Sequence, residues 1–564
     1  MKFKTSFLIV CFSIISLLTN GQVITIEWAV QLGGEQFDSG KSITIDNEGN
    51  ILTTGLFGET ADFDPGPSNQ LLTSAGFNDI FISKLTSSGE FIWAAKMGGS
   101  ANDKGGSIIT SSEGDIITAG LFNGVANFYP GTGTYNLTST GQSDIFISKI
   151  SGNGNYIWAK GLGGIESDGI LTESIAIDMI GNIYVQGFFR DTVDFDPGPG
   201  VYNLTAVSNW DIFILKLDGD GNFIWAKNIG GLTFKRGMAM NLDNDGSVLI
   251  TGEFIDTVDF NPGTGIYNLI STSELSSDIF VLKLSNSGEF IWAKSMGGYD
   301  AERGNSIDTD IDNNIYVTGE FWGTVDFNPD TGSYELTSSG WYDSFILKLS
   351  PEGSFIWAKK LGGITSDYGY SIEVDHFGNV YSSGTFSTEI DLNPNAGSNI
   401  VSAKGMTDVY ISALNTDGEY IWGGSIGGIG TDEVNSITTD EDENIYLTGN
   451  FSDLCDLDPS EDEFFLTSFG LSDIYVIKLS QTATGNIEPY ENSNLNIYAD
   501  REKIIIDGLN ESAVAQVYDV TGNSLGKWDV NEVNNEIEMD VVCGIFIIRI
   551  EMTKKVITQK VYLK

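Results

Sequence analysis

The sequence predicts an all-β protein, a seven-bladed β-propeller followed by a small β-sandwich, on three observations. A tryptophan in the motif "IWA" or a close variant recurs at steps of 65 to 67 residues. Each copy holds four short apolar strand patterns separated by turn signals. A four-stranded sheet that is apolar on both faces cannot bury both alone, whereas sheets stacked radially around an axis can. The repeated tryptophans are Trp28, Trp93, Trp158, Trp225, Trp292, Trp357 and Trp422.

We label the four strand patterns A to D, from the axis outward. In the third copy they cover residues 174–178, 182–189, 211–217 and 222–227. The stretch "LDGDGNFIWAK" (217–227) joins C to D and resembles the start of a calcium loop, but no glutamate ligand follows at the required distance. The other copies keep only the glycine of this stretch, so it predicts a β-hairpin turn.

The two ends of the repeat array predict a closed ring. Nothing like strand C precedes Trp28, and the last copy ends on its strand C, residues 473–479. The strand around residues 26–30 is therefore expected to pair with that last strand C, which removes an exposed sheet edge.

The segments outside the repeats predict export. Lys2 and Lys4 followed by an apolar run at residues 7–18 form a secretory signal peptide over residues 1–21. The propeller is expected over residues 22–480, a polar linker over 481–494, and a second domain over 495–564. No later segment has the apolar length of a membrane helix, so the chain is not expected to span a membrane. Cys455 and Cys543 lie in different modules and imply no disulfide framework.

Two families resemble this chain. The pattern "WAK-x-x-GG … SIAID-x-x-GNIYVTG-x-F" looks like the seven-bladed propeller repeats, often labelled SBBP repeats, of secreted bacterial proteins, over about residues 24–480. The segments "AQVYDVTGNSLGKW" (515–528) and "GIFIIRIEMTKKVITQKVYLK" (544–564) resemble the type A C-terminal sorting domain of the type IX secretion system of Bacteroidota. That resemblance implies the secretion machinery as a partner and removal of the tail at the cell surface. Cys543 stands where that family commonly has a small residue.

Composition narrows the function classes. The formal net charge of −48 makes nucleic acid an unlikely partner. The only histidine, His376, lies in an A–B turn, which argues against histidine-based catalysis and histidine metal sites. We therefore expect a secreted or cell-surface binding or scaffold module for an extracellular protein or glycan, with no catalytic residue and no cofactor assigned. The alternative is a polysaccharide-degrading enzyme that uses acidic residues at the channel mouth.

One end of the predicted disc carries the long connections, because the A–B and C–D turns are minimal and the B–C and D–A segments are longer. On that end a charged residue stands ten positions after each tryptophan, just before strand A. It either hydrogen-bonds loop amides or binds a cation or a positively charged ligand. The set is Asp38, Asp103, Asp168, Lys235, Glu302, Asp367 and Asp432.

The B–C segments carry a second acidic motif, as in "VDFDPGPGVYNLT" (193–205). Its paired oxygens, for example on Asp194 and Asp196 or on Asp62 and Asp64, could bind Ca²⁺. The same residues are equally typical of a turn in which the carboxylate accepts backbone N–H groups. The turn is the favoured interpretation, and the second copy, with Asn127 and no carboxylate, is expected to bind nothing.

Copies three and four are each two residues longer, in residues 163–174 and 271–278. Both insertions are expected in loops of the elaborated end. They predict an asymmetric ligand-binding patch there that includes Trp210 and Lys235, with Phe234 and Arg236 beside them; neutral loop drift is the alternative.

Overall fold

The computed structural model describes residues 22–207, 210–460 and 462–483, followed by 496–500, 503–507, 513–518, 524–531, 536–538, 544–552 and 555–563. The predicted signal peptide, residues 484–494 of the predicted linker and Cys543 lie outside the described residues. The chain divides into two compact units, Met1–Ala483 and Thr484–Lys564. Within the described ranges no helix is long and apolar enough to cross a membrane.

All the elements in the described ranges are β-strands. In the first unit they are β1 Gln22–Gly34; β2 Ser39–Ile45, β3 Ile51–Asp62, β4 Leu71–Leu85, β5 Phe91–Gly99; β6 Lys104–Thr110, β7 Ile116–Phe122, β8 Val125–Asn127, β9 Asn136–Thr138, β10 Asp144–Ile150, β11 Tyr156–Leu162; β12 Ile175–Ile177, β13 Ile183–Phe189, β14 Thr192–Asp194, β15 Asn203–Thr205, β16 Asp211–Leu217, β17 Phe223–Ile229; β18 Lys235–Leu242, β19 Val248–Phe254, β20 Thr257–Asp259, β21 Asn268–Ile270, β22 Asp278–Leu284, β23 Phe290–Gly298; β24 Glu302–Thr309, β25 Ile315–Asp326, β26 Glu335–Leu349, β27 Phe355–Leu361; β28 Asp367–Val374, β29 Val380–Phe386, β30 Glu389–Asp391, β31 Ile400–Ser402, β32 Asp408–Leu414, β33 Tyr420–Gly428; β34 Glu433–Thr439, β35 Ile445–Phe451, β36 Leu454–Asp456, β37 Phe465–Thr467, β38 Asp473–Ala483.

The repeating unit is an antiparallel sheet in which strands A, B, C and D pair in that order. Among the described residues these sheets are β2-β3-β4-β5, β6-β7-β10-β11, β12-β13-β16-β17, β18-β19-β22-β23, β24-β25-β26-β27, β28-β29-β32-β33 and β34-β35-β38-β1. Each strand A contacts the strand A of the next sheet, and β34 contacts β2. The sheets therefore form a closed ring around an axis, which is a β-propeller.

The ring closes through its N-terminal strand, as the sequence predicts. Strand β1 pairs antiparallel with β38, with Ile26 opposite Leu479 and Leu32 opposite Ile474. The predicted linker begins too early, because residues 481–483 still belong to β38 and pair with residues 22–24. The last strand is longer than its repeat pattern because the first strand extends alongside it.

Apolar side chains fill the space between adjacent sheets. Tyr184 and Ile214 of the third sheet, for example, pack in one cluster with Ile250 and Phe280 of the fourth. The repeated tryptophan adds a polar link across the same space, because Trp225 donates its Nε1–H to a C–D turn carbonyl of the next sheet. The equivalent bonds run from Trp28 to Ser87, Trp93 to Gly152, Trp158 to Gly219, Trp292 to Pro351 and Trp357 to Thr416. This bond explains why the repeat keeps a tryptophan at that position.

The second unit contains two sheets. Their strands are β39 Asn496–Asp500, β40 Lys503–Asp507, β41 Ala513–Tyr518, β42 Ser524–Val530, β43 Glu536–Glu538, β44 Gly544–Met552 and β45 Lys555–Leu563. One sheet has the order β39-β40-β43 and the other β42-β41-β44-β45. Strands β39 and β40 contact β45, so the two sheets lie against each other.

Candidate functional site

The two ends of the propeller differ in their connections. One end carries the A–B and C–D turns, and we call it the turn face. Gly221 has a φ of 75° in the third C–D turn, and Asp218 Oδ1 accepts the N–H groups of residues 220 and 222 at 2.9 Å. The turn interpretation of "LDGDGN" is therefore confirmed.

The opposite end carries the D–A and B–C segments, and we call it the loop face. In five sheets the B–C segment forms a separate hairpin, namely β8–β9, β14–β15, β20–β21, β30–β31 and β36–β37. In the first and fifth sheets the long strands β3, β4, β25 and β26 run on into the hairpin without a break. The B–C segments, which differ from sheet to sheet in this way, therefore lie on the loop face.

The paired acids of the B–C hairpins hold their own turns. Asp194 Oδ1 accepts the backbone N–H groups two and eight residues further on, at 3.1 and 2.7 Å, and Asp62 does the same at 3.1 and 2.8 Å. Asp196 and Asp64 each accept the N–H two residues further on, at 2.8 Å. Asn127 makes the bonds of Asp194 without a carboxylate, so this geometry needs no metal ion. No group of three or more potential ligand side chains is found in the part of the chain that the structure describes. Calcium binding by these acids stays a prediction.

The charged residues that precede strand A are all buried. Asp103 is typical: its carboxylate accepts the Gly99 N–H at 2.7 Å and the Asn123 N–H at 2.9 Å. The carboxylates of Asp38, Asp168, Glu302, Asp367 and Asp432 likewise accept the N–H four residues earlier. This geometry favours the loop-anchoring interpretation over ligand binding, because the side chains that hold the D–A segment are not displayed on the surface.

Each of these residues has a buried partner, which sequence reasoning overlooks. The Asp103 N–H bonds the Asn78 carbonyl, next to Asp79 at the start of strand C. A Cβ on Gly98 would lie 2.7 Å from Asp79 Oδ1 and 3.1 Å from Asp103 Oδ2, so both carboxyls occupy the place of a side chain. In every copy the first glycine of the repeated "GG" lies against the aspartate of strand C, which leaves no room for a side chain there. The pairs are Asp473 with Asp38, Asp79 with Asp103, Asp144 with Asp168, Asp211 with Lys235, Asp278 with Glu302, Asp343 with Asp367 and Asp408 with Asp432.

Burial and the facing acid change how these groups ionise. Burial, with the Asp278 charge as a further cause, raises the pKa of Glu302 to about 9. The same causes raise the pKa of Asp367 to about 8, with Asp343 as the facing charge. Burial and the Asp79 charge raise the pKa of Asp103 to about 6. The pairs therefore differ in the pH at which they lose their last proton.

Lys235 is the only cation among the seven pairs, and its position contradicts the predicted surface patch. Its side chain is fully buried, with Nζ 2.7 Å from Asp211 Oδ1 and donating to the Gly231 carbonyl at 2.9 Å. The sequence predicts an exposed patch that includes Lys235 and Trp210. That prediction is wrong for Lys235, because its side chain is buried. Trp210 itself is half-buried, with the Arg190 guanidinium 3.6 Å from its ring centroid.

The insertion in copy three also differs from its expected position. In the other six sheets the inner strand carries a one-residue β-bulge, as at Gly106 in β6. In copy three the residues 171–173 stand in that place. Glu173 has a φ of 54°, and its carboxylate accepts hydrogen bonds from the hydroxyls of Ser306 (2.5 Å) and Ser371 (2.6 Å). These serines belong to the fifth and sixth sheets, which are remote from Glu173 along the chain. The two extra residues therefore cross the central channel and do not extend a surface loop.

The central channel is a cavity of about 150 Å³ lined by the inner strands of every sheet in the ring. Glu173 shares it with Asp308 and Glu373. Burial, the largest cause, raises the pKa of Glu173 and of Asp308 to about 7 and that of Glu373 well above its ordinary value. The channel is thus narrow and acidic, with carboxyl groups whose pKa values are raised to neutral pH or above.

The channel mouth on the loop face has an ion-pair network between the fourth and fifth sheets. Glu253 Oε1 lies 2.6 Å from Arg236 Nη2 and 3.1 Å from Arg303 Nε. Arg303 also reaches Glu320, with Nη1 3.2 Å from Oε1. Arg303 thus bridges the two acids, and burial, the largest cause, raises the pKa of Glu320 to about 7.

A row of aromatic rings extends from this network toward the outer edge of the loop face. Adjacent ring centroids along the row are 5.5 to 6.1 Å apart, in the order Trp341, Trp322, Tyr342, Tyr368, Tyr370. Trp341 is 61% exposed, and the other rings are partly exposed. Sequence reasoning overlooks the row. Its signal was the departure of "GWYDS" (340–344) and "DYGYS" (367–371) from the other copies.

Comparison with known proteins agrees with this fold at the level of the repeat. The SBBP family, described as a beta-propeller repeat, matches residues 27–56 and 425–450. The chain carries β-propeller repeats. Among curated relatives of this propeller, "Uncharacterized WD repeat-containing protein L264" of Acanthamoeba polyphaga mimivirus is 24% identical over 452 residues, 65% of this chain and 32% of the relative. "Regulatory protein FlaEY" of Caulobacter vibrioides is 26% identical over 142 residues, 25% of this chain and 14% of the relative. The propeller chain thus spans a third or less of these relatives.

Two solved structures are similar at low level. The WD40 domain of Neurospora crassa Pan2 is 9% identical, with a TM-score of 0.34, over 79% of this chain and 90% of that one. PorZ, a surface component of the type IX secretion system of Porphyromonas gingivalis, is 11% identical, with a TM-score of 0.23, over 95% of this chain and 100% of that one. Similarities of this size indicate no function for the propeller described here.

Proposed function

We propose that the chain is an exported seven-bladed propeller that binds an extracellular glycan or protein through its loop face. The observation that carries this proposal is the row of aromatic rings from Trp341 to Tyr370. Large apolar side chains in contact with one another and with water are costly unless a partner covers them. The row ends at the polar network of the channel mouth, so it offers flat apolar surfaces beside hydrogen-bonding groups, the combination that binding sites use.

Binding is tested on the propeller produced from residue 22 onward. The wild-type protein is screened against an array of glycans and against extracellular proteins of the same surface, beside Trp341→Ala and Tyr368→Ala. We expect both variants to lose at least tenfold in affinity for whatever the wild type binds. Phe77 is the matched control, since it holds the position of Trp341 in the first sheet and is 78% exposed without the neighbouring rings. Loss of binding in Phe77→Ala alone would place the ligand elsewhere on the loop face.

The same screen tests the alternative, a polysaccharide-degrading enzyme. Reducing ends are measured after incubation of each bound glycan with the protein. Binding without new reducing ends supports the binding propeller, and release of reducing ends that Glu320→Gln abolishes would support the enzyme.

Export is the second part of the proposal, and the resemblance of the tail to a type IX sorting domain supports it. We expect that deletion of residues 545–564 leaves a folded propeller in the periplasm. The external form should begin near Gln22 and end between residues 484 and 495, because cleavage before 484 would remove residues paired with β1. Mass spectrometry of periplasmic and external fractions measures both. Normal export of the truncated chain would refute the sorting role.

A further inference from the structure

We propose that two of the buried pairs, Asp278–Glu302 and Asp343–Asp367, are proton-binding sites, each holding one proton between its carboxyl groups in the folded protein at neutral pH. The proton would stand where the ammonium group of Lys235 stands in the neighbouring pair with Asp211. The inference concerns the stability of the loop face and does not depend on the ligand proposed above.

The first support is a set of buried oxygens without partners. In strand C of every pair, Oδ2 of the aspartate accepts a nearby backbone N–H, as from Thr272 to Asp278 at 2.9 Å. The other oxygen, Oδ1, is buried and accepts no hydrogen bond in six of the seven pairs. These atoms belong to Asp79, Asp144, Asp278, Asp343, Asp408 and Asp473. The equivalent atom of Asp211 bonds Lys235 Nζ. The fold thus provides a cation at this position once and leaves six such oxygens unsatisfied.

The second support selects two of the six. Only in Asp278–Glu302 and Asp343–Asp367 does the facing acid also have a buried oxygen without a partner, Glu302 Oε1 and Asp367 Oδ1. A buried acceptor without a donor destabilises a fold. One proton would serve both oxygens of a pair, with the protonated carboxyl donating to the ionised one, as in the carboxyl dyads of aspartic proteases.

A metal ion fits these pairs less well. Ca²⁺ takes six to eight oxygen ligands and Mg²⁺ six. In each pair the second carboxylate oxygen already accepts a backbone N–H, from Gly298 to Glu302 at 3.0 Å and from Gly363 to Asp367 at 2.7 Å. Two free oxygens are enough for a proton and too few for either ion.

The charged surroundings differ between the two pairs. Asp300 is the further charged group that acts on Asp278–Glu302, and it raises the pKa of Glu302. Lys360 acts on Asp343–Asp367, with Nζ 3.3 Å from Asp343 Oδ2, and it lowers both pKa values against the larger effect of burial. The pKa values of about 9 for Glu302 and about 8 for Asp367 agree with one retained proton in each pair near pH 7.

The sign of the pH effect follows from these directions. Each pKa is higher in the folded than in the unfolded state, so between about pH 5 and pH 8 the folded protein binds more protons. Stability is therefore greatest below the unfolded pKa and falls as the pH rises through the folded one. Each pair is expected to increase the unfolding constant by up to about tenfold per pH unit in that window.

The test uses Glu302→Gln in the full chain. The amide keeps an oxygen for the Gly298 N–H and presents a fixed N–H donor to Asp278, so no proton is needed. We expect denaturant unfolding of the variant to depend less on pH than that of the wild type, by about tenfold per pH unit between pH 5 and pH 8. The matched control is Lys235→Met, which removes the built-in cation. It should be strongly destabilised, because Asp211 is left buried without its cation.

A second measurement does not depend on how well the variants fold. The infrared carbonyl band of protonated carboxyl groups should be present in the wild type at pH 7.5 and weaker in Glu302→Gln. Equal pH dependence of wild type and variant, or an unchanged infrared band, would overturn the proposal. Stabilisation of the wild type but not of the variant by Ca²⁺ or Mg²⁺, reversed by EDTA, would replace the proton with a metal ion.

Discussion

Closure of the ring by β1 gives a prediction whose size follows from the structure. The perturbation is deletion of residues 22–32, which leaves β38 as an unpaired edge. Within the deleted segment, Leu32 is fully buried and Ile24 is 8% exposed. Loss of these two side chains alone removes about 3–6 kcal/mol, at about 1.5–3 kcal/mol for each buried aliphatic side chain. Unfolding entropy of about 2.1 cal/mol/K per residue converts this to a fall in Tm of about 3–6 °C if the propeller unfolds as one unit.

The assay is thermal unfolding together with light scattering, because the exposed edge of β38 also provides a surface for self-association. Addition of a synthetic peptide of residues 22–34 should restore the Tm by strand addition. Deletion of residues 484–564, in the other compact unit, is the control and should leave the propeller transition in place. A β1-deleted protein that melts like the full chain and stays monomeric would show that the ring is not closed by this strand.

Three further changes test other parts of the fold. Trp292→Phe removes the Nε1–H bond to the Pro351 carbonyl and should lower the free energy of unfolding by about 1–2 kcal/mol in chemical denaturation. A loss of less than about 0.5 kcal/mol, the size of a neutral surface change, would contradict a structural role of this bond. Asp194→Asn should leave the free energy of unfolding nearly unchanged, and Asp194→Ala should lower it by about 1 kcal/mol. The wild type should have the same Tm in Ca²⁺ and in EDTA. A Tm of the wild type that rises with Ca²⁺, and no longer does so in either variant, would support the metal interpretation. Glu173→Gln keeps an oxygen for one serine hydroxyl and turns its amide N–H toward the oxygen of the other, and it should reduce the fall in Tm between pH 6 and pH 8, because burial raises the pKa of Glu173 to about 7. An unchanged pH profile would contradict proton binding at that carboxyl.

The sequence could predict the features that repeat. The spacing of the tryptophans fixed the strand order and the pairing of β1 with β38, because these depend on the period and on where the array begins and ends. The partner of Lys235 could not be found in this way. A lone cation in a series of acids suggests a surface site, and only the folded ring places it against Asp211, in the preceding sheet. Glu173 escaped prediction for a similar reason, since an insertion looks the same in sequence whether it extends a loop or a bulge.

The bulges of the inner strands have a consequence for how such a protein can change. Six sheets have one bulge position there, and it holds a different kind of side chain in almost every one: Lys41, Gly106, Met238, Asn305, Tyr370 and Asn435. A bulge residue stands outside the regular ladder, so its replacement disturbs little of the pairing around it. The paired residues of the inner strands thus form a constant scaffold, and the bulge residues form a circle of positions that can be substituted one at a time. A library randomised at those positions would vary the lining of the axis while the blades stay as they are.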